Sequence, residues 1–348
     1  MGEDRQTARR GQGFDYSLIG GLFLLLANLA WGITVVRKYN RRFPADWKGQ
    51  YYRELPSDAT PAVVSYLMDF KIEPRDLVAT LTDLVRKKHV TVEERKDPKG
   101  RKKPDYIFRL NQKNREELRP HEQSLVAWFF DELGKDGTLR LSKLKEYSND
   151  YANAKAFRER FVKWQNEVKD TAEELGYVLV RKKTVNTCML LATVLQIVLI
   201  FWLLPESWYW TFLCALPLPF FKPKRQRRTT LGNNEYRKWN AFKRFLRDYS
   251  QIASKEPLAV YLWQHYLVYA IPLGEAKKME SIGRIQIRGE DAALFLQTSS
   301  FWDGYDEWTT SIKGTIDSGK EPWFDLGDFP GGFSSGGGGG GGGGRGAF

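Results

Sequence analysis

Three uncharged apolar runs constrain this chain more than any other feature. The first, Tyr16 to Val36, is 21 residues long. At 1.5 Å per residue a helix of that length covers roughly 31 Å, enough for a hydrocarbon core of about 30 Å. The second, Thr184 to Leu204, is again 21 residues. The third, Trp208 to Phe221, has 14 residues and contains Pro217 and Pro219, so it is short for a span. Between the last two stand Pro205, Glu206 and Ser207, followed by Trp208, Tyr209 and Trp210, the turn with aromatic flank that an interfacial hairpin needs. The first run is no cleaved signal peptide. Its apolar core is too long, and it is followed by Arg37-Lys38-Tyr39-Asn40-Arg41-Arg42 in place of a small-residue cleavage site. The pattern predicts three transmembrane helices, one followed later by a pair.

Charge orients them. The hairpin turn holds no Lys or Arg. Its flanks hold Arg181, Lys182 and Lys183 on one side and Lys222, Lys224, Arg225, Arg227 and Arg228 on the other. The turn is therefore expected outside, with both flanks and the C-terminus in the cytoplasm. By parity, residues 37–183 lie inside and the N-terminus outside, in the cell membrane. The net charge of +12 is concentrated beside the apolar runs, as an anionic membrane surface favours, while 303–348 is net acidic. The only two cysteines, Cys188 and Cys214, sit within apolar runs, which excludes a disulfide framework and a cysteine-based zinc site.

The cytoplasmic part reads as tandem winged-helix-like α+β units. In the first, residues 37–118, Thr60-Pro61 opens a helix carrying Val63, Val64, Leu67 and Met68. A second helix opens at Pro74 and carries Leu77, Val78, Leu81, Leu84 and Val85. After His89 the period changes. Val90-Thr91-Val92 and Tyr106-Ile107-Phe108 read as strands joined by a basic loop, the outline of a wing. The second unit, residues 119–183, has a helix from His121 through Leu125, Val126, Trp128, Phe129 and Leu133, then a short connection around 138–141. A long helix with Phe157, Phe161, Trp164, Val168 and Leu175 on one face ends at Gly176, and a strand over 177–180 closes the unit. Amphipathic stripes of this kind let the two units bury each other, so residues 44–180 are expected to fold once cut from the spans. Residues 222–300 read as a helical region. The last segment, 301–348, acidic, aromatic and then glycine-rich with nine consecutive glycines at 336–344, reads as disordered.

Two motifs carry a family resemblance: Tyr51-Tyr52-Arg53-Glu54-Leu55-Pro56, and the run Asp69-Phe70-Lys71-Ile72-Glu73-Pro74-Arg75-Asp76-Leu77-Val78-Ala79-Thr80-Leu81. With Trp263 to Gly274 and the glycine-rich end, they resemble the domain-of-unknown-function 2207 family of bacterial predicted membrane proteins, over roughly residues 15–348. The resemblance implies a β-rich extracytoplasmic domain before the first span. Only residues 1–15 stand there, so a fragment or a shortened member is expected. No activity comes with the family.

The candidate site is the wing loop, whose Arg95, Lys96, Lys99, Arg101, Lys102 and Lys103 are expected to contact an anionic surface, either inner-leaflet headgroups or the acidic tail 303–328. DNA is disfavoured as a partner. The helix that would read it carries Asp76 and Asp83 and lacks base-reading residues at its start. His89, His121 and His265 are not spaced as metal ligands, no nucleophile motif occurs, and the polyglycine run has no strand before it or helix after it. No cofactor or catalytic residue is expected. Asn28 and Gln196, single amides within the runs, suit helix packing. The sequence thus reads as a membrane-anchored interaction or scaffold protein whose partners are the bilayer and other membrane proteins. The alternative is a membrane-tethered nucleic-acid-binding regulator.

Overall fold

The computed structural model describes residues 43–95, 105–111, 115–180, 226–252, 260–279 and 305–320, with most of 22–41 and isolated helical positions between 191 and 202. The architecture is mainly α with two small antiparallel sheets. Helix α1 (Pro61–Asp69) and helix α2 (Pro74–Arg86) start where proline was expected to start them. Glu73 closes a capping box on α2, accepting from the third helical N–H while Asp76 Oδ2 accepts from the Glu73 N–H at 2.6 Å. Strands β1 (Val90–Arg95) and β2 (Asp105–Leu110) follow as an antiparallel hairpin, with Val92 opposite Phe108.

Helix α3 (Pro120–Val126) widens into a π-helical turn over Ala127–Glu132. The extra residue per turn is what buries three consecutive aromatics, Trp128, Phe129 and Phe130, where a regular helix would turn one outward. Trp128 packs on Phe157 with centroids 4.6 Å apart. The short connection expected around 138–141 is a strand, β3 (Thr138–Arg140), which pairs with β2 as the third strand of the wing sheet. Helix α4 (Leu141–Tyr147) and the long α5 (Tyr151–Glu174) come next. Gly176, at φ +70°, ends α5 as its sequence position suggested. Strand β4 (Val178–Val180) pairs antiparallel with β5 (Gln226–Arg228), which is followed by helix α6 (Thr230–Ile252) and helix α7 (Val260–Leu273). Gly232 lies so close to the backbone of Tyr177 that a Cβ would stand 1.8 Å from its carbonyl oxygen, so only glycine fits at this crossing.

One apolar core runs through the helices and strands β1 to β4, from Ala59 to Ile316. Its centre is a three-way join made by His121, which is fully buried. Its Nε2 lies 2.9 Å from Thr60 Oγ1 at the start of α1, and its Nδ1 lies 3.1 Å from Thr171 Oγ1 on α5. Thr171 donates to the Glu167 carbonyl, so its oxygen accepts from Nδ1–H, and Nε2 accepts from Thr60. Thr60 spends its hydroxyl on this join and makes no side-chain cap bond.

The two units share strand pairings that their spacing did not suggest: β3 joins the wing of the first, and β4 finds its partner beyond the apolar segment 181–225. Trp239, Phe242 and Tyr269 of α6 and α7 are buried in the same core as α1 and α2. The disordered tail is corrected over 305–320, since residues 305–318 form a helix, α8, that buries Trp308, Ile312 and Ile316. The apolar spacing 308, 312, 316 gives it a core-facing stripe, which the surrounding acids mask in composition. Of the expected spans, 208–221 lies outside the described residues, and 16–36 and 184–204 are described only in part. Among the described residues no helix is long and apolar enough to cross a membrane. The glycine run lies outside them too.

Candidate functional site

The expected site is the tip of the wing. Arg95 ends β1 opposite Asp105 and is exposed; Lys96, Lys99, Arg101, Lys102 and Lys103 lie outside the described residues. The base of the wing is fixed from within. Tyr106, Ile107 and Phe108 are all buried, which requires cover on both faces of β2. Helix α8 supplies one cover. Trp308 meets Tyr106 edge-on at 5.2 Å and Phe108 at 4.9 Å, and Thr315 Oγ1 donates to the Leu144 carbonyl at 3.1 Å. The acids of this helix pair along its borders, Glu307 with Lys145 at 2.6 Å and Asp306 with Lys277 at 3.2 Å.

Helix α2, the counterpart of a recognition helix, is buried at every position from Asp76 to Leu84, so this stretch offers no face to a DNA groove. Its polar residues face inward to a charged cluster. Lys87 Nζ lies 2.9 Å from Asp83 and 2.6 Å from Glu122, and Arg86 lies 2.7 Å from Asp83. Burial alone would lower the Lys87 pKa, but Asp83 and Glu122 raise it overall. Asp76 is pushed up to about 7 by burial, against the opposing pull of the Glu73 N–H and Arg75. His121 is lowered to about 3 by burial first, then by Arg119 and Lys87. This cluster binds α2 to α3 and opens into no described cavity. Among the described residues, no group of His, Cys, Asp and Glu could hold a metal ion.

The ends of the apolar runs converge on one edge of the fold. The pairing of β4 with β5 sets Val180 opposite Gln226, so the chain that leaves at 181 returns at 225 beside its own exit. Residues 43–59 run from the end of the first apolar stretch to α1 as an extended strap. Side chains of α6 and α7 satisfy its carbonyls: Asn233 to Phe43, Arg237 to Ala45 and Trp47, Tyr266 to Arg53 and Tyr269 to Ala59. Beyond this edge, large apolar side chains are bare. Phe23 is 71% exposed and Trp202 81%, with Leu22, Leu26, Leu191, Leu195 and Val198 also exposed. Asn28, in contrast, is buried.

Mainly helical, with a wing on one side and bare apolar helical stretches at one edge, the chain has the surface of a protein made to meet an apolar phase. It belongs to the DUF2207 family: the family model described as "Predicted membrane protein (DUF2207) C-terminal domain" matches residues 48–281. No curated protein and no solved structure matches the chain.

The sequence singled out the wing, and the structure keeps Arg95 at its end. It did not foresee the meeting of strap, β5 and α6 at the edge where the apolar runs converge. The signal for that was the cations flanking the runs, read at first for orientation alone.

Proposed function

We propose that this chain is a non-catalytic, membrane-anchored interaction or scaffold protein, its helical body held at the cytoplasmic face of an anionic bilayer by one span at 16–36 and a hairpin at 184–221. The β4–β5 pairing carries this reading, because both ends of the hairpin stand side by side on the body that the strap joins to the first span. The wing cations then work against inner-leaflet headgroups, each contributing about 1 kcal/mol within a Debye length of about 8 Å. Of the two anionic surfaces the sequence offers, the leaflet is favoured, since Asp306 and Glu307 of the tail are engaged by Lys277 and Lys145. The alternative, a nucleic-acid-binding regulator, would have to act without α2.

The test is hydrogen exchange on the full chain in bilayer discs. Slower exchange over 95–105 in anionic than in neutral discs is expected, with loss of the difference when the six wing cations are changed to serine. Protection of the wing by duplex DNA at physiological salt, with no dependence on lipid charge, would overturn the reading in favour of the regulator.

A further inference from the structure

At the edge where the apolar runs converge lies a cleft of about 280 Å³ between the strap, β5 and the start of α6. Four arginines line it, Arg41, Arg227, Arg228 and Arg237, together with Asn233 and Tyr236, and no carboxylate lines it. Two of the arginines build the wall. Arg228 donates to the Leu67 and Met68 carbonyls, both at 2.6 Å, and lies flat between the rings of Phe70 and Tyr236, at 4.5 and 4.0 Å. Arg237 donates to the Ala45 and Trp47 carbonyls at 3.1 and 3.0 Å. The carbonyls and rings that hold these guanidinium groups carry no charge. The other two are uncommitted. The Arg227 side chain rests over the Phe43 ring at 4.7 Å, and neither it nor the Arg41 side chain has a hydrogen bond or ion pair among the described residues. Two anchored cations and two free ones around a cleft without acids form a site for a compact dianion or monoanion with several acceptor oxygens.

We propose that this cleft binds a phosphate group, carried by a phospholipid headgroup or by a soluble phosphate compound. The lipid source rests on the reading above, which sets the cleft at the bilayer surface. Arg41 and Arg227 close on the phosphate oxygens, and Arg228 and Arg237 supply the standing positive field.

The full chain in neutral detergent is titrated with short-chain phosphatidylglycerol, short-chain phosphatidylcholine and inorganic phosphate, following the thermal unfolding midpoint. Saturable stabilisation by phosphatidylglycerol or by inorganic phosphate, but not by phosphatidylcholine, is expected. Lipid alone identifies a headgroup site, and inorganic phosphate at similar concentration identifies a soluble ligand. Arg227→Gln and Arg41→Gln should each weaken binding about tenfold or more, the value of one charge-assisted hydrogen bond. Neither side chain makes a hydrogen bond or ion pair within the fold, and Arg227→Gln gives up only the contact with the Phe43 ring. Arg95→Gln, on the wing, should leave the titration unchanged. Equal stabilisation by phosphatidylcholine, or no saturable response to either anion, would overturn the proposal, as would wild-type binding by the Arg41→Gln, Arg227→Gln double variant. The wing exchange experiment is read separately. Loss of this site with lipid-dependent wing protection intact would sink the cleft alone.

Discussion

Asp76 and His121, both buried, give the fold opposite responses to pH. The Asp76 carboxyl is pushed up to about 7 from an ordinary 3.8, so between those values the folded chain keeps a proton that the unfolded chain has released. Its contribution is full below about 4 and is lost as pH rises toward 7. His121 is lowered to about 3 from 6.5, so the folded chain refuses a proton that the unfolded chain takes. Its contribution is full above 6.5 and is lost as pH falls toward 3. In the wild type the two gradients offset each other over much of this range. Asp76→Asn removes one of them while an amide oxygen can still accept from Glu73. Measured by chemical denaturation, the stability of this variant relative to wild type should rise by up to roughly 4 kcal/mol between pH 4 and pH 7. A pH-independent difference would mean that Asp76 is ionised in the fold throughout. At this scale the sequence was legible where apolar spacing decides. Leu81 was placed in the core and is 3% exposed, so Leu81→Ala should cost about 2–5 kcal/mol in the same assay. It was not legible where a polar group is buried. Nothing local tells that Asp76 and Asp83 turn inward, because their cover comes from α3 and α7, far along the chain.

Elements with an amphipathic stripe of two or more turns, α1, α2 and α5, were readable with their end signals, since proline, capping residues and terminal glycine act within a few residues. Elements defined by a distant partner were not. Strand β3 has three residues and owes its form to β2, and β4 waits for β5 across the apolar segment 181–225. Helix α8 was hidden by its acids, although the all-apolar triplet Tyr106-Ile107-Phe108 in β2 already called for a second cover. That cover depends on one side chain. Trp308 is 1% exposed and touches both rings that β2 presents. Trp308→Ala should therefore cost about 3–5 kcal/mol for the docking of α8. Limited proteolysis should cut the variant within 305–320 while the His121 join stays protected. Cleavage at the wild-type rate would mean that α8 is held by its ion pairs, which are worth little at an exposed border.

For the molecule as a whole, the decisive relation is between a two-stranded sheet and the apolar chain it brackets. The partners Val180 and Gln226 pair across β4 and β5, and paired residues on antiparallel strands stand about 5 Å apart at Cα. Residues 181–225 therefore leave the body and return to it at one point, and if they enter a bilayer they cross it an even number of times. On the proposed reading, the two apolar runs there, with a cation-free stretch at 205–207 and cations on both flanks, make that number two. A 14-residue helix covers about 21 Å, less than a hydrocarbon core of about 30 Å. On that reading the second run, 208–221, thins the bilayer or uses its aromatic residues and prolines to meet the interface early. The proposed topology sets the body, the wing and residues 37–180 on the side opposite the turn, with the N-terminus, by parity, on the side of the turn. Ser207→Cys, with Cys188 and Cys214 replaced by serine, should then react with a membrane-impermeant maleimide on intact cells. A cysteine at Ser142, on the body, should react only after lysis. Labelling of the Ser207 position only after lysis would invert or abolish the hairpin. Equal labelling of both positions on intact cells would mean that the body itself lies outside.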